Sequence, residues 1–535
     1  PDPGDPSGHE RVFVDVPDQA GLLATRDGAG ERGASIALLG DLDGDGSVDV
    51  LTCPSDFTTN AELQDPCVAF LNDGTAHFTL APPSELDVAT FPATSAALLD
   101  ADLDGVLDFW PASMSHWGYG PPGSQWHLGP RIFRGAGDGT FTNATALFGL
   151  DFPEGGFKTP ERWRPTFGVT TCDLDDDGDM DVVTASYGRQ DNQVWRLDGG
   201  TYVNVAGALG LDHDDRMDYS DDESYRCYCA ATLACTPMPP APVLACNQFG
   251  NPYLRGWSPG YTDQPWSLGG NNFGVACVDA DDDGDMDVMF ATVTHGDVGS
   301  SSDPTELALN PGDGGKFVRP GNDATGLARP PLGLYDNFGD NEPVFADVDL
   351  DGRKDLYLTS TVYPGVHPWF WRQLPDGTFE AITEAAGLVD AAHHPITQGV
   401  DFVDLDGDGD LDLVTGSVEG DSAIHAYRNL VGQSSNLLRV RLVGLGAGHS
   451  NRSAIGARVR VSAGDRTQTL EVKGGAGIGH IQNDFVLTFG LGEACDVDTL
   501  EVRWPDAAHS VTTFADVRAN YTVTVREGDS TLEYR

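Results

Sequence analysis

One nine-residue string constrains this chain more than any other feature. D-x-D-x-D-G-x-x-D occurs six times, and the copies begin at positions 41, 100, 173, 279, 347 and 404. Each copy lies between short apolar stretches, such as Ser35–Leu39 before the first and Val182–Val183 after the third. Short apolar runs bounded by Gly and Asp turns are typical of β-strands. The repeat therefore predicts an all-β array in which each copy is a loop between two strands.

A second repeated signature predicts how the array is arranged. Asp-Gly turns that lead into an aromatic residue follow the loops, as at Asp138–Phe141 and Asp376–Phe379, and such turns are typical of β-hairpins. The sixth loop lacks this segment, but residues 12–22 match residues 379–388. An N-terminal strand that completes the last unit closes a ring without open sheet edges. The sequence therefore predicts a β-propeller over residues 1–432 with six repeats; seven blades are the alternative.

The nine cysteines indicate an oxidising compartment. An insertion near residues 212–265, where a seventh blade could be hidden, carries four of them: Cys227, Cys229, Cys235 and Cys246. These four, and Cys53 with Cys67 around a short loop, are interpreted as disulfide-bonded. A zinc site is the alternative for the four, although Cys227-Tyr228-Cys229 is tighter than the usual ligand spacing. The others are interpreted as buried, inert cysteines, and the odd total leaves at least one thiol free: Cys172, Cys277 and Cys495.

The six loops have the composition of an oxygen-only metal site. Aspartates at loop positions 1, 3, 5 and 9 project into one concavity, the glycine at position 6 permits a sharp turn, and the carbonyl of position 7 adds an oxygen. Such a set suits Ca²⁺, so about six calcium ions are predicted, one per loop. An EF-hand is excluded because position 12 is never Glu. Positions 1, 3, 5, 7 and 9 are, loop by loop, Asp41, Asp43, Asp45, Ser47 and Asp49; Asp100, Asp102, Asp104, Val106 and Asp108; Asp173, Asp175, Asp177, Asp179 and Asp181; Asp279, Asp281, Asp283, Asp285 and Asp287; Asp347, Asp349, Asp351, Arg353 and Asp355; and Asp404, Asp406, Asp408, Asp410 and Asp412.

The loops also resemble a known repeat. Gly40–Gly46 and Asp404–Gly409 are similar to FG-GAP/VCBS repeats, the calcium-bearing blades of integrin-α-type propellers. This resemblance covers about residues 10–432 and implies a ring of calcium-stabilised blades. Integrin propellers have seven blades, some of them without metal, which keeps the seven-blade alternative open.

The pattern changes at the C-terminal end of the chain. Across residues 433–535, alternating strands such as Leu438–Val443 and Tyr521–Val525 predict a small β-sandwich. Ile455–Val459 and Val502–Asp506 are similar to the ASPIC/UnbV domain. The pairing of FG-GAP blades with this domain resembles the cartilage acidic protein 1 family, which comprises secreted acidic proteins with bacterial relatives. The resemblance implies a bacterial-type homologue of that family.

A glycine-rich segment interrupts the sandwich pattern at Gly474–Gly479. A phosphate-binding loop would need a Lys-Ser/Thr pair and a strand-loop-helix context, and both are missing here. The segment is therefore interpreted as a long loop that packs against the propeller and could plug its axial channel.

Charge and composition bound the function. The chain has 83 acidic residues against 31 Lys and Arg, a formal net charge of −52, so nucleic acids and anionic membrane surfaces are excluded as partners. Hydrophobic residues make up 40% of the chain, which argues against acidic disorder. No apolar run reaches the roughly 18 residues that a transmembrane helix needs, so membrane insertion is not expected.

These features predict a monomeric protein, secreted or displayed at the cell surface, that serves as a calcium-stabilised structural or adhesion-type interaction module. Its partner, a protein or a glycan, is not identified by the sequence. No catalytic motif is recognised, so an enzyme is not expected. One alternative is a glycan-binding propeller with stacking tryptophans: Trp110, Trp117, Trp126, Trp369 and Trp371. The other is an uncharacterised propeller enzyme, for which the candidates are His116, Trp117, His393 and His394.

Overall fold

The computed structural model describes residues 20–22, 36–53, 66–88, 93–113, 129–152, 166–246, 257–260, 262–333, 336–361, 366–388, 397–417, 424–475, 477, 482 and 484–535. Several predicted features lie outside these residues: the N-terminal strand at 12–16, Trp117, Trp126, His116, His393 and His394. The fold of the described residues is all-β with a few short helices, as predicted.

Strands β1–β22 form six successive units, and each unit begins with two antiparallel strands that flank one aspartate loop. The strands are β1 (Ile36–Gly40), β2 (Asp49–Cys53), β3 (Val68–Asn72) and β4 (Phe78–Leu80) in unit one; β5 (Ala93–Leu99), β6 (Asp108–Ser113), β7 (Phe133–Gly135) and β8 (Phe141–Asn143) in unit two; β9 (Thr166–Cys172), β10 (Asp181–Ser186), β11 (Gln193–Asp198) and β12 (Thr201–Asn204) in unit three; β13 (Asn272–Val278), β14 (Asp287–His295) and β15 (Glu306–Ala308) in unit four; β16 (Asn337–Ala346), β17 (Asp355–Ser360), β18 (Trp369–Gln373) and β19 (Phe379–Ala381) in unit five; and β20 (Thr397–Val403), β21 (Asp412–Ser417) and β22 (Ile424–Tyr427) in unit six.

Strands of one unit pair in chain order, so each unit is an antiparallel meander. Units one, two and three are separate four-stranded sheets, whereas the four strands of unit five continue the sheet of unit four, because β16 pairs with β14 as well as with β17. In unit four, a bridge between Leu309 and Val318 stands where a fourth strand would pair. Three described strands form unit six, as expected if its fourth strand comes from the N-terminus.

The first strands of successive units lie side by side, in the order β1, β5, β9, β13, β16 and β20. Every residue of β5 and β9 is buried, because each of these strands packs against neighbours on both faces. The outer strands pack in the same way: Trp110 of unit two shares a core with Val182 and Tyr202 of unit three. Apolar residues of one unit are therefore covered by the next unit.

The Gly-Leu endings of the units have equivalent contacts. A methyl group added at Gly326, at the end of unit four, would lie 2.1 Å from the Phe379 carbonyl oxygen of unit five. A methyl group at Gly21 would lie 2.2 Å from the Phe78 carbonyl oxygen of unit one. Both glycines are in the left-handed region, with φ of +81° and +83°. Gly21 thus has the same place before unit one that Gly326 has before unit five.

Eight of the nine cysteines form disulfides. The loop cysteines pair as Cys53–Cys67, Cys227–Cys246 and Cys229–Cys235, so the predicted disulfides are confirmed and no cysteine of the insertion is left for zinc. The interpretation of Cys172 and Cys277 as inert thiols was wrong, because they form a disulfide with a Cα–Cα distance of 6.4 Å. They come together because both stand near the end of a first strand, in neighbouring units.

Cys495 is a free thiol, as the odd number of cysteines indicated, but the expectation that it is buried was wrong, because it is exposed. It stands in the turn between two strands of the C-terminal domain, where no core covers it.

Short helices accompany the units: α1 (Ala206–Leu209), α2 (Glu223–Thr232), α3 (Pro265–Leu268) and α4 (Asn322–Thr325). Helix α2 belongs to the Cys-rich insertion, and the Asp222 side chain caps its N-terminus by accepting hydrogen bonds from the backbone of Ser224 and Tyr225. The residues described between β12 and β13 contain no strand, so they do not form a seventh unit.

The C-terminal domain consists of two four-stranded sheets that share one core. The first sheet has the order β26-β23-β29-β30 and the second the order β25-β24-β27-β28. Apolar residues alternate along the strands, and the side chains that fill the core include Val459, Phe489 and Leu500. The strands are β23 (Asn436–Val443), β24 (Arg458–Ala463), β25 (Arg466–Glu471), β26 (Val486–Gly492), β27 (Asp496–Arg503), β28 (Val511–Arg518), β29 (Tyr521–Arg526) and β30 (Glu533–Tyr534).

The glycine-rich segment between β25 and β26 reaches the first strands of the units. The Leu98 amide donates to the Gly474 carbonyl oxygen at 3.0 Å, and the Val169 amide donates to the Gly477 carbonyl oxygen at 2.8 Å. These bonds join the segment to β5 and β9. Lys473 Nζ donates to the carbonyl oxygen of β13 residue Cys277, and Gln482 Nε2 donates to that of β1 residue Leu39 at 2.7 Å. The segment therefore packs against units one to four, as the sequence indicated.

A methyl group at Gly474 is expected to disrupt this contact. It would lie 1.9 Å from the Leu98 carbonyl oxygen, a backbone atom that cannot rotate away. We expect Gly474→Ala to lower stability by about 1–3 kcal/mol, the usual effect of overpacking, and thermal unfolding measures it. Gly399→Ala is the matched control, because a methyl group there meets nothing within 4 Å. Equal melting temperatures for the two variants would show that the close approach at Gly474 is unimportant.

Candidate metal centre

All six aspartate loops are built on the same backbone frame. In each unit, the last residue of the first strand pairs with the aspartate at loop position 9. The pairs are Gly40↔Asp49, Leu99↔Asp108, Cys172↔Asp181, Val278↔Asp287, Ala346↔Asp355 and Val403↔Asp412. The loop is thus closed at its base by the first pair of a β-ladder, and its length is the same six times.

The position-9 aspartate fastens the loop to the third strand of its unit. In unit one, Asp49 Oδ2 accepts from the Leu42 amide at 2.7 Å, and Asp49 Oδ1 accepts from the Asn72 amide at 2.8 Å. The equivalent pair of bonds is present in every unit. The sequence analysis assigned this aspartate to the metal alone and missed its structural role.

The aspartates at positions 1 and 5 shape the turn itself. In unit two, Asp100 accepts from the backbone amides of Asp104 at 3.0 Å and Gly105 at 2.9 Å. The position-5 carboxylate accepts from the position-7 amide in all six loops. The glycine at position 6 has φ between +84° and +100° in each loop, which explains why glycine occurs there.

Position 4 is also left-handed in all six loops, and this was not predicted. It is glycine in two loops but Leu103, Asp176, Asp282 and Leu350 in the others, with φ of +55° to +58°. Such a backbone conformation costs a non-glycine residue roughly 1 kcal/mol or more. Gly44 and Gly407 were the only signal for it in the sequence.

The frame directs carboxylates toward one another. In units one and two the position-1, position-3 and position-9 aspartates each place an oxygen within 4.8 Å of the others: Asp41, Asp43 and Asp49, and Asp100, Asp102 and Asp108. In units three to five the converging set is positions 1, 3 and 5: Asp173, Asp175 and Asp177; Asp279, Asp281 and Asp283; Asp347, Asp349 and Asp351. The position-7 side chains are outside these sets, and those of Val106 and Arg353 offer no oxygen.

Burial and mutual repulsion disfavour the charged forms of these carboxylates. Burial raises the pKa of Asp108 and Asp287 to about 8 and that of Asp49 to about 6, against an ordinary value of 3.8. Burial and the neighbouring Asp355 raise the pKa of Asp347 to about 8. The loops therefore bring together carboxyl groups that are difficult to ionise at the same time without a cation.

Some carboxylate oxygens have no hydrogen-bond partner. Both oxygens of Asp410 are buried without one, and so is Oδ1 of Asp349, whose other oxygen lies 2.5 Å from Arg372. A buried carboxylate oxygen without a donor is costly unless a cation compensates it. The donor set contains only oxygens, so these groups could hold a hard metal ion.

The C-terminal domain lies on all six loops, which the sequence analysis missed. Arg458 Nη1 lies 2.6 Å from Asp176 in the third loop, and Arg439 lies 2.5 Å from Asp404 in the sixth. Arg466 lies 2.6 Å from Asp282 in the fourth loop. The remaining loops are reached by hydrogen bonds: Asp41 amide to Ser453 Oγ, Gly448 amide to the Asp104 carbonyl, and Gly492 amide to the Leu350 carbonyl.

Only some of the residues considered for sugar stacking or catalysis lie in the described part of the chain. Trp110 and Trp371 are each 1% exposed, so neither can stack on a sugar in this structure. Trp369 is half-buried against Trp371, with ring centroids 5.4 Å apart. The other tryptophan and histidine candidates lie outside the described residues. Where the structure describes the chain, it has no helix that is both long and apolar enough to cross a membrane.

Comparisons with known proteins support the domain architecture. Residues 347–415 match the family model of the FG-GAP-like repeat, and residues 447–532 match the model described as ASPIC and UnbV. No curated protein matches the chain.

Solved structures resemble the chain only distantly. A rhamnogalacturonan lyase of Bacillus licheniformis is 12% identical with a TM-score of 0.33, and the match covers 76% of this chain and 74% of the lyase. The exotype rhamnogalacturonan lyase YesX has the same identity and coverage with a TM-score of 0.30. A variant of the fructofuranosidase from Schwanniomyces occidentalis is 10% identical with a TM-score of 0.26, over 94% and 90% of the two chains. At such scores these likenesses carry no argument.

Proposed function

We propose that this chain is an extracellular, calcium-binding β-propeller protein that acts as an interaction module and has no catalytic activity. The observation that supports this proposal best is the sixfold repetition of one loop frame with converging carboxylates. A solvated acidic turn has no need for the same backbone bonds and the same left-handed residues six times. A repeated ion site explains both.

The proposed propeller follows from the packing of the units. Their first strands lie side by side in chain order, and unit six lacks a fourth strand among the described residues. The position of Gly21 beside Phe78 supports an N-terminal segment that ends the unit before unit one. We infer a ring of six blades.

Calcium is proposed over magnesium because of the ligand type and number. Positions 1, 3, 5 and 9 would supply carboxylate oxygens and position 7 a carbonyl oxygen, and Ca²⁺ accepts six to eight such ligands. When bound, the ion would neutralise the repulsion within the loop. The turn is already fixed by hydrogen bonds within the loop. In unit two, the backbone amides of positions 5 and 6 donate to the position-1 carboxylate, and the amide of position 7 donates to the position-5 carboxylate.

The cation would also matter to the second domain. Every loop contacts the C-terminal domain, and three of the loops form ion pairs with its arginines. Loops that splay apart without the ion would present a different surface to that domain. The proposed function is therefore that of a two-domain body whose shape depends on calcium.

The disulfides support an oxidising, extracellular location. Together with the FG-GAP-like and ASPIC/UnbV matches, this makes a relative of the cartilage acidic protein 1 family the proposal for ancestry. A strongly acidic surface favours a partner with exposed basic groups. We propose a monomer that binds a protein or a glycan.

The class of partner can be tested directly. The purified chain is applied to a glycan array and to a panel of hydrolase and lyase substrates, in calcium and in a chelator. We expect no turnover of any substrate, with or without calcium. Turnover of any substrate would contradict the proposal of a non-catalytic module, and calcium-dependent glycan binding would establish the lectin alternative for the same loops.

A further inference from the structure

One residue of the third strand distinguishes the six loops from one another. It directly precedes the backbone amide that binds Oδ1 of the position-9 aspartate, so its place is defined by the same hydrogen bond in each unit. The residue is arginine in units two, three, five and six: Arg134, Arg196, Arg372 and Arg428. It is leucine in units one and four: Leu71 and Leu309.

Each of these arginines reaches the carboxylates at loop positions 3 and 5, or at position 3 alone. Arg134 lies 2.6 Å from both Asp102 and Asp104 in unit two. In unit six, Arg428 lies 2.7 Å from Asp406 and 3.0 Å from Asp408.

The same contact occurs in the other two units. Arg372 lies 2.5 Å from Asp349 and 3.6 Å from Asp351, and Arg196 lies 3.3 Å from Asp175. Four guanidinium groups thus contact aspartates that the proposed calcium sites use as ligands. Leu71 and Leu309 carry no charge and leave the equivalent carboxylates of units one and four to the ion.

We propose that these arginines divide the six loops into two classes of calcium site. This inference rests on the proposed calcium binding, and it adds that the third-strand residue sets the calcium affinity of each loop. Loops one and four bind calcium tightly because, among the residues that the structure describes, no cation pairs with their position-3 and position-5 ligands. Loops two, three, five and six bind it more weakly, because calcium must share ligand oxygens with a tethered positive charge or displace it.

Other basic groups near the loops do not alter this division. Lys354 and Arg466 contact Asp282 at position 4 of the fourth loop, but neither group pairs with the carboxylates at positions 3 and 5. Burial raises the pKa of Asp279 at position 1, and the charge of Lys354 partly offsets this rise. Arg458 and Arg503 contact Asp173 or Asp176 of the third loop, and Arg439 contacts Asp404 of the sixth. These contacts add positive charge to loops that already carry an arginine on the third strand.

Salt offers a second signature of the two classes. The side chains of Arg134 and Arg428 are 40% and 59% exposed, so salt screens their charge. Raising the ionic strength is therefore expected to weaken calcium binding less at the arginine-bearing loops than at loops one and four. The affinities of the two classes should approach each other.

The test uses the full chain and calcium alone. Equilibrium binding is measured by calorimetry for the wild type, Arg134→Leu and Leu71→Arg. We expect two tight and four weaker sites in the wild type, separated by at least about tenfold in dissociation constant, which corresponds to about 1.4 kcal/mol. Arg134→Leu should give three tight sites and Leu71→Arg one. Leu71→Met, which is long but uncharged, should leave the count of tight sites at two.

The outcomes separate this inference from the proposed function. Six equivalent sites in the wild type, with no change in Arg134→Leu, would overturn the two classes and leave calcium binding intact. Absence of calcium binding in the wild type would overturn the proposed function itself. If Leu71→Arg does not fold, Arg134→Leu still tests the two classes. It is expected to fold, because units one and four carry leucine at the same position.

Discussion

Removal of calcium is expected to unfold the propeller units or to lower their melting temperature by tens of degrees. At a free calcium concentration of about 100 times the dissociation constant, one site contributes roughly 2.7 kcal/mol, so six independent sites would contribute about 16 kcal/mol. Native domains are stable by only about 5–15 kcal/mol in total. The expected loss is therefore as large as the whole stability of an ordinary domain.

The measurement is a thermal melt, followed by circular dichroism, in calcium, in a chelator, and in chelator followed by excess calcium. Magnesium at the same concentration is the control, because it prefers to retain its water ligands and should restore little of the lost stability. An unchanged melting temperature in the chelator would contradict a stabilising role of the loops.

The metal-free protein is expected to lose stability as the pH rises from about 4 to about 8. Burial raises the pKa of Asp108, Asp287 and Asp347 to about 8, whereas their ordinary value is 3.8. Within this window the folded chain holds protons that the unfolded chain releases, so the stabilisation that is fully present below about pH 4 disappears as the pH approaches 8.

Calcium should reverse this dependence, because the ion replaces the protons and its binding is favoured by deprotonated ligands. The test compares urea unfolding of chelator-treated, dialysed protein at pH 5 and pH 8 with that of calcium-loaded protein. The metal-free protein should be more stable at pH 5 than at pH 8. The calcium-loaded protein should be more stable at pH 8 than at pH 5. Equal stability of the metal-free protein at both pH values would contradict the raised pKa that burial gives these carboxylates.

Much of the fold could be predicted because it is local and repeated. The string that surrounds Asp41 recurs at fixed length, and the strands on either side of it follow from short apolar runs and Asp-Gly turns. The same repetition predicted the carboxylates that converge in the loops. Repetition could not reveal that the oxygens of Asp49 accept hydrogen bonds from backbone amides. An aspartate that binds a metal ion and one that accepts backbone hydrogen bonds look the same in a sequence.

Contacts between distant parts of the chain could not be predicted. Arg458 and Asp176 are 282 positions apart, and no local pattern indicates that they meet. Cys172 and Cys277 are 105 positions apart, and their burial in apolar strands concealed the bond between them. The contact of the C-terminal domain with all six loops belongs to the same class, since it depends on how two finished domains pack.

The net charge of −52 acquires a clearer meaning from these contacts. Twenty-four aspartates occupy positions 1, 3, 5 and 9 of the six loops, and arginines of both domains lie on several of them. Part of the acidity thus faces the C-terminal domain or the proposed ion sites. The remainder covers the surface, where it keeps the protein soluble and repels other acidic surfaces.

Calcium stoichiometry is the most direct test of the proposed loops. The full chain is dialysed against buffer with a known free calcium concentration, and bound metal per chain is measured by elemental mass spectrometry. Six calcium ions per chain are expected, with about five when Asp41 and Asp43 of the first loop are both replaced by Asn. At a free calcium concentration that saturates the weaker loops as well, a stoichiometry of one or two in the wild type would show that most of the six loops do not bind calcium and would contradict the proposed function.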